Sequence, residues 1–262
     1  MLAPKSCPSS APEIPSAERI TVDERVFVIK NDVTVLKKCT PLLEALGIGG
    51  AEALSLDFQV ADSGISLRNA IALYEFVKKA RPRVAVEVGM ANGVSAVAIL
   101  QAMSENGDGR LISIDPFQST GWKNKGTERI RSCGLTSHRL IEEFDFLALP
   151  ELLKEKVAVD FAYIDGWHTF DYALLDFWYL DRMLEKGGTV AFNDCGFRAV
   201  AKVLKFVRTH RRYDEIEVLP RSYADSSWPK SLLRWLLDFR INDRYFRKRE
   251  TWEPDWSFFR SF

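Results

Sequence analysis

The chain has 262 residues, with 36 lysines plus arginines balanced by 36 aspartates plus glutamates and with 47% hydrophobic residues. That length allows one elaborated domain or two small ones around a sizeable core, and the composition excludes disordered, collagen-like and fibrous chains. No uncharged apolar run approaches the roughly 18 residues of a membrane span, and the start MLAPKSCPSSAPEIPS has no apolar stretch of the secretory kind, so a cytoplasmic protein is expected.

Residues 1–20 are rich in Pro, Ser and Ala and read as a disordered leader. Val26, Val28, Val33 and Val35 alternate around Asn31-Asp32 and predict a small hairpin, part of an N-terminal hairpin/helix extension over 21–65. Leu67, Ile71, Tyr74 and Val77 then fall at helical spacing behind Ser66, which can cap the helix.

From Arg83 to about Val218 short apolar runs alternate with helical segments, the pattern of a parallel sheet covered on both faces. Strands are expected at Val84 to Val88, Leu111 to Asp115, Leu140 to Glu142, Phe161 to Asp165 and Thr189 to Phe192, with a further one at Ile216 to Leu219. Helices are expected at about Val94 to Met103, Glu128 to Cys133, Pro150 to Lys154, Phe170 to Leu184 and Ala199 to Val207. The domain so marked spans 66–220. Residues 221–262 form a basic, aromatic and irregular C-terminal extension that completes the fold. Residues 197–262 carry 15 basic and 9 acidic side chains, yet acids interrupt the basic run and no nucleic-acid motif accompanies it. A solvated, packed extension is the expectation, with no nucleic-acid partner. Cys7, Cys39, Cys133 and Cys195 show no CxxC spacing and read as reduced thiols.

The first strand runs directly into Glu87-Val88-Gly89-Met90-Ala91-Asn92-Gly93 and then a helix. Two glycines four apart permit a tight turn whose backbone N–H groups can approach a ligand at the helix N-terminus. A dinucleotide turn would need a glycine where Ala91 stands, which weakens a pyrophosphate reading. Asp115, about twenty residues on, closes the second strand, where a carboxylate can accept ribose hydroxyls. Together these residues select an adenosine-type ligand without a pyrophosphate.

E-x-G-x-x-x-G after the first strand, with an acid closing the second, resembles the class I S-adenosylmethionine-dependent methyltransferases. IDPFQ at 114–118, IDGWHTFDY at 164–172 and LEKGGTVAFNDC at 184–195 resemble the branch that contains small-molecule and sugar O-methyltransferases and cephalosporin-hydroxylase-like proteins. The similarity covers roughly residues 66–210. It implies an α/β fold, a Rossmann-like sheet of seven strands, here with N- and C-terminal extensions. It also implies that Glu87, Gly89, Met90 and Gly93 shape the methionine and ribose end of the cofactor site and that Asp115 holds the ribose. Asp145 would lie near the adenine, with Glu142 and Glu143 as equally acidic neighbours, and Asp165 would border the cofactor.

Ligands of open parallel sheets bind beyond the carboxyl ends of the strands, where Asp165, His168, Asn193, Asp194 and Cys195 all fall. Asp165 and Asp194 close adjacent strands and could share magnesium or another divalent cation, with Asn193 adding an amide oxygen. Similar metal-dependent O-methyltransferases, including the catechol type, place a metal-binding acid at the end of the fourth strand and a general base three residues later. That spacing gives Asp165 and His168, and an imidazole can take a hydroxyl proton at neutral pH. After the fifth strand the sequence departs from the pattern. Asn193 stands where the sugar-modifying branch has Glu, and Cys195 where the catechol type has Asn, so a hard-ion site keeps two carboxylates instead of three. Asp171 and Asp176 read as the polar side of the following helix, while Trp122 and Trp167 either wall the pocket or pack in the core.

The expected function is S-adenosylmethionine-dependent methylation of a hydroxyl on a small-molecule acceptor, with His168 as base and a divalent metal as assistant. N- or C-methylation, or a catalytically inactive cofactor-binding or interaction protein, stand as alternatives. Homo-oligomerisation is left open.

Overall fold

A computed structural model describes residues 39–49, 59–61, 64–216, 218 and 243–262. The leader at 1–20 and the hairpin around Asn31-Asp32 lie outside the described residues. Helix α1 (Thr40–Leu46) precedes α2 (Leu67–Ala80), and the sheet then begins: β1 (Val84–Val88), α3 (Val94–Asn106), β2 (Arg110–Ile114), α4 (Lys125–Ser132), β3 (His138–Ile141), α5 (Asp145–Lys154), β4 (Val159–Ile164), α6 (Phe170–Met183), β5 (Leu184–Phe192), α7 (Arg198–His210), β6 (Tyr213–Ile216) and β7 (Arg244–Lys248).

The seven strands lie in the order β3-β2-β1-β4-β5-β7-β6. The first five run parallel, while β7 is antiparallel to both β5 and β6. The chain reverses its winding between β1 and β4, which opens a crevice beyond the carboxyl ends of those strands. Each face of the sheet is buried by its own apolar layer. Ala85, Leu111, Phe161 and Tyr163 pack with α2 and α3 on one side, and Val86, Ile112, Ala162 and Val190 pack with α5, α6 and α7 on the other. Strands covered on both faces lose the polar alternation of a half-exposed strand, which is why VAVEV and FAYID read as near-continuous apolar runs.

Ser66 caps α2 as expected, its Oγ accepting from Asn69 N at 3.3 Å. The predicted helices all form, most of them longer than their apolar cores, since polar ends carry no periodic signal. The third strand ends at Ile141, so Glu142 lies beyond it. The strand expected at Ile216 to Leu219 instead occupies Tyr213–Ile216. The C-terminal extension is not irregular throughout, because Arg244–Lys248 inserts as β7 between β5 and β6. Its basic residues hid it. Lys248 is 2% exposed, donating from Nζ to the Leu184 carbonyl at 3.0 Å with its ammonium 3.4 Å from Asp181. Asp181 also accepts from Arg211 and Tyr213, both at 2.7 Å, so one buried carboxylate fastens the β6/β7 ribbon to α6. Among the described residues Cys39, Cys133 and Cys195 form no disulfide, and no helix is long and apolar enough to cross a membrane.

Candidate active site

Strand register brings four site residues into one row. Val88 pairs with Ile114 and Ile164, and Ile164 pairs with Phe192. The next residue on each strand is therefore Asp115, Gly89, Asp165 or Asn193, side by side across the crevice. The row is laced together: Gly89 N donates to Ile114 O, Asp165 N to Val88 O and Asn193 N to Ile164 O, at 2.9 to 3.0 Å.

Gly89 has φ +85°, and a Cβ there would run into the Asp165 carbonyl and lie 2.6 Å from its carbon and 2.9 Å from Gly166 Cα. Glycine is needed because the end of β4 passes against the turn, as well as for the conformation itself. Gly93, at φ +75°, caps α3 without a side-chain hydrogen bond, leaving the N–H groups of that first turn open to a ligand.

Asp115 is 3% exposed and does more than face a ribose. Its Oδ2 accepts from Met90 N (3.1 Å), Ala91 N (2.7 Å) and Gln118 Nε2 (3.0 Å), and its Oδ1 accepts from Phe117 N (2.9 Å). The carboxylate orders the glycine turn, with three hydrogen bonds to Oδ2 and one to Oδ1, so Oδ1 keeps the greater accepting capacity. Gln118, fully buried, also donates to Ala91 O at 2.8 Å; sequence reasoning missed it, and its place in IDPFQ was the only signal.

Glu87 is fully buried. Its Oε2 accepts from Ser113 Oγ at 2.7 Å, while Oε1 makes no hydrogen bond within ordinary geometry. Burial pushes its carboxyl up to about 8; the Ser95 and Ser113 hydroxyls pull the other way, and Asp165 and Asp115 add to the rise.

Two adjoining cavities occupy the crevice. One, of about 300 Å³, is lined by Val88, Asp115, Phe117, Phe144, Asp145 and Trp167 among others. The other, of about 490 Å³, is lined by Ser66, Asn69, Met90, Ser95, His168 and Asp194 among others. Gly89, Ala91, Trp122, Asp165 and Gly166 border both, so the two are halves of one cleft. Trp122 and Trp167 thus wall the pocket. Of the acids after β3, Asp145 reaches the cleft as the first residue of α5, whereas Glu142 accepts from Ser119 N at 2.7 Å and holds the loop after β2. Asp176 corrects the reading of α6: it is fully buried instead of lying on the polar side. Burial, and then the neighbouring Asp145 carboxyl, push its pKa well above the usual range.

At the ends of β4 and β5 the predicted residues converge. His168 Nε2 lies 3.4 Å from Asp165 Oδ1 and 3.5 Å from Asp194 Oδ2. Its ring stacks on Phe197 with centroids 5.3 Å apart. Burial alone pushes the imidazole pKa down, but Asp165 and then Asp194 together hold it above its ordinary value. Burial raises the Asp194 carboxyl, with His168 opposing and Asp165 reinforcing. Asn193 Nδ2 donates to Asp165 Oδ1 at 2.7 Å, and Cys195 is buried with its thiol directed to the Phe192 carbonyl at 3.2 Å. Among the described residues no group of three or more His, Cys, Asp or Glu side chains is placed to hold a metal ion.

Residues 86–195 match a family model described as a methyltransferase domain. The fold is shared with cofactor-bound Rv0187 from MTB at a TM-score of 0.55, with 12% identity over 84% of this chain and 91% of that one. It is also shared with the Podospora anserina methyltransferase PaMTH1, solved with SAH bound (TM-score 0.56, 14% identity, 80% and 88% covered), and with an O-methyltransferase from Bacillus cereus in complex with SAH (0.53, 14%, 71% and 84%). No curated protein matches the sequence. Residues 86–195 thus match a methyltransferase domain in sequence, and the described fold is the one these methyltransferase structures share.

Proposed function

We propose that the protein methylates a hydroxyl oxygen of a small-molecule acceptor, with His168 as general base. The observation that carries the reading is the position of His168. Its Nε2 stands at the end of β4 between two carboxylates, and the residue lines the same cleft as the glycine turn. The O-methyltransferase from Bacillus cereus with this fold supports the choice of oxygen.

The cleft fits S-adenosylmethionine. The Glu87 carboxyl, with its unbonded Oε1, lies beneath the turn where an amino-acid ammonium would rest. The N–H groups at the start of α3 suit a carboxylate, Asp115 Oδ1 keeps accepting capacity for a ribose hydroxyl, and Asp145, Phe144 and Trp167 surround the far end. When bound, that cofactor supplies an electrophilic methyl on a sulfonium. This chain's residues then orient the acceptor and take its proton. Neutral His168 accepts the hydroxyl proton on its imidazole, and Asp165 and Asp194 stabilise the resulting imidazolium. Phe197, stacked on the ring, limits its rotation.

The oxygen donors as arranged do not fit a divalent cation. Asn193 turns its amide N–H toward Asp165, and the imidazole nitrogen occupies the space between the two carboxylates that an ion would need. The proposal is therefore a metal-free acid/base site in a cytoplasmic enzyme. His168→Gln tests it: turnover should fall about 10²- to 10⁴-fold while S-adenosylhomocysteine (SAH) binds as in the wild type. Wild-type turnover in the variant would remove His168 from the mechanism.

A further inference from the structure

A hydrogen-bonded line of side chains crosses three strands beneath the glycine turn. On β3, His138 Nε2 lies 3.0 Å from Ser113 Oγ on β2, and Ser113 Oγ lies 2.7 Å from Glu87 Oε2 on β1. Glu87 and Ser113 are fully buried, and His138 is half-buried at the start of its strand. From the other side Glu87 is faced by Ser95, on the first turn of α3, which lines the cleft.

A serine hydroxyl has one proton. When it donates to an ionised Glu87, the ring nitrogen must be the donor to Ser113, which fixes His138 as the Nε2–H tautomer. A donated hydrogen bond polarises the hydroxyl and strengthens the next bond in the chain. Burial, and then repulsion from the Asp165 and Asp115 carboxylates at the ends of the neighbouring strands, works against the ionised Glu87. Ser113 and Ser95 are the groups that oppose it, and only Ser113 is backed by a further donor.

We propose that His138 is a positioning residue for the cofactor: through Ser113 it orients the Glu87 carboxyl beneath the turn and favours its ionisation when the ammonium of the donor's amino-acid end arrives. This rests on the reading of the cleft as an S-adenosylmethionine site. Burial pushes the His138 ring down to about 4, so it is neutral at physiological pH and free to act as a donor without adding a charge to the core.

The experiment is calorimetric titration of SAH, which carries the same ammonium, into the full-length protein and its variants. His138→Leu and Ser113→Ala should each weaken binding about three- to tenfold, the loss expected for a hydrogen bond supporting a charged group. His138→Gln, whose amide Nε2 replaces the ring donor, should restore binding to within about twofold, a rescue that simple packing would not produce. In a Glu87→Gln background, His138→Leu should cost nothing further, because the carboxylate it serves is gone. Unchanged affinity in His138→Leu, or equal loss in the Leu and Gln variants, overturns the role of His138 and leaves the cofactor reading standing. Failure of the wild type to bind SAH takes down the cofactor reading and this proposal with it. Should His138→Leu fail to fold, Ser113→Ala and the Gln rescue decide the matter.

Discussion

Gly89→Ala isolates how the β1 turn and the catalytic end of β4 constrain each other. Alanine at φ +85° pays about 1–2 kcal/mol for a left-handed backbone. Its Cβ also meets backbone, at 2.6 Å from the Asp165 carbonyl carbon and 2.9 Å from Gly166 Cα, and backbone cannot rotate away as a flexible side chain would. Overpacking of this kind costs a further ~1–3 kcal/mol, giving a total of about 2–5 kcal/mol. Gly107 is the internal control. It has φ +78° at the end of α3 with nothing within 4 Å of a built Cβ, so Gly107→Ala should cost only the backbone strain, about 1–2 kcal/mol. Urea unfolding of the two variants measures the difference. Relief of the clash must shift Asp165, whose N–H donates to Val88 O and whose Oδ1 accepts from Asn193. Methyl transfer and SAH affinity should therefore fall in Gly89→Ala and stay intact in Gly107→Ala. Equal stability losses, with SAH affinity unchanged in both, would refute the steric argument.

The acid limb of the pH–rate profile should lie above the ordinary imidazole value of about 6.5, because Asp165 and Asp194 raise the His168 pKa and only the neutral ring accepts a proton; a limb below that value would exclude His168 as the titrating base. Exhaustive EDTA treatment should leave turnover unchanged, and added magnesium should not increase it; loss of activity restored by magnesium would show that His168 yields its place between the carboxylates to an ion. Asp181→Ala should destabilise by about 3–5 kcal/mol by leaving Arg211 and Lys248 charged and buried without their carboxylate; a loss under about 1 kcal/mol in urea unfolding would show that water reaches those cations.

Most of the sheet was legible because β1, β2, β4 and the second half of β5 are buried on both faces and announce themselves as apolar runs, whereas the edge strand β3 is only partly buried and gives a weaker pattern. β7 was not, because its outer residues are cations whose partners come from distant segments: Lys248 finds Asp181, some 67 residues earlier, and no local pattern records that pairing. The candidate site residues were legible to the extent that they follow strands directly. Gly89, Asp115, Asp165 and Asn193 could be placed from strand ends alone, and His168 from its spacing to Asp165. Residues that act through others left no such trace. Asp176 has the helical position of a surface acid and is buried only because α6 turns it toward Asp145, and Gln118 is indistinguishable in sequence from a solvated loop residue.

The chemistry therefore depends on register as much as on residue identity. Asp165 meets Asn193 because Ile164 pairs with Phe192, and Gly89 fits against Asp165 because Val88 pairs with Ile164. A slip of one residue between β4 and β5 would set Asp165 beside Phe192 or Asp194, removing an amide donor and placing an aromatic ring or a second carboxylate in its stead. The same slip would exchange the side chains on the two buried faces of β4, so the apolar layers of Phe161 with Tyr163 and of Ala162 with Ile164 penalise it strongly. Packing deep in the sheet thus holds the row of polar side chains at the carboxyl ends of the strands in one fixed register. Substitutions along that row should combine non-additively, since each member shares a hydrogen bond or a steric contact with the next.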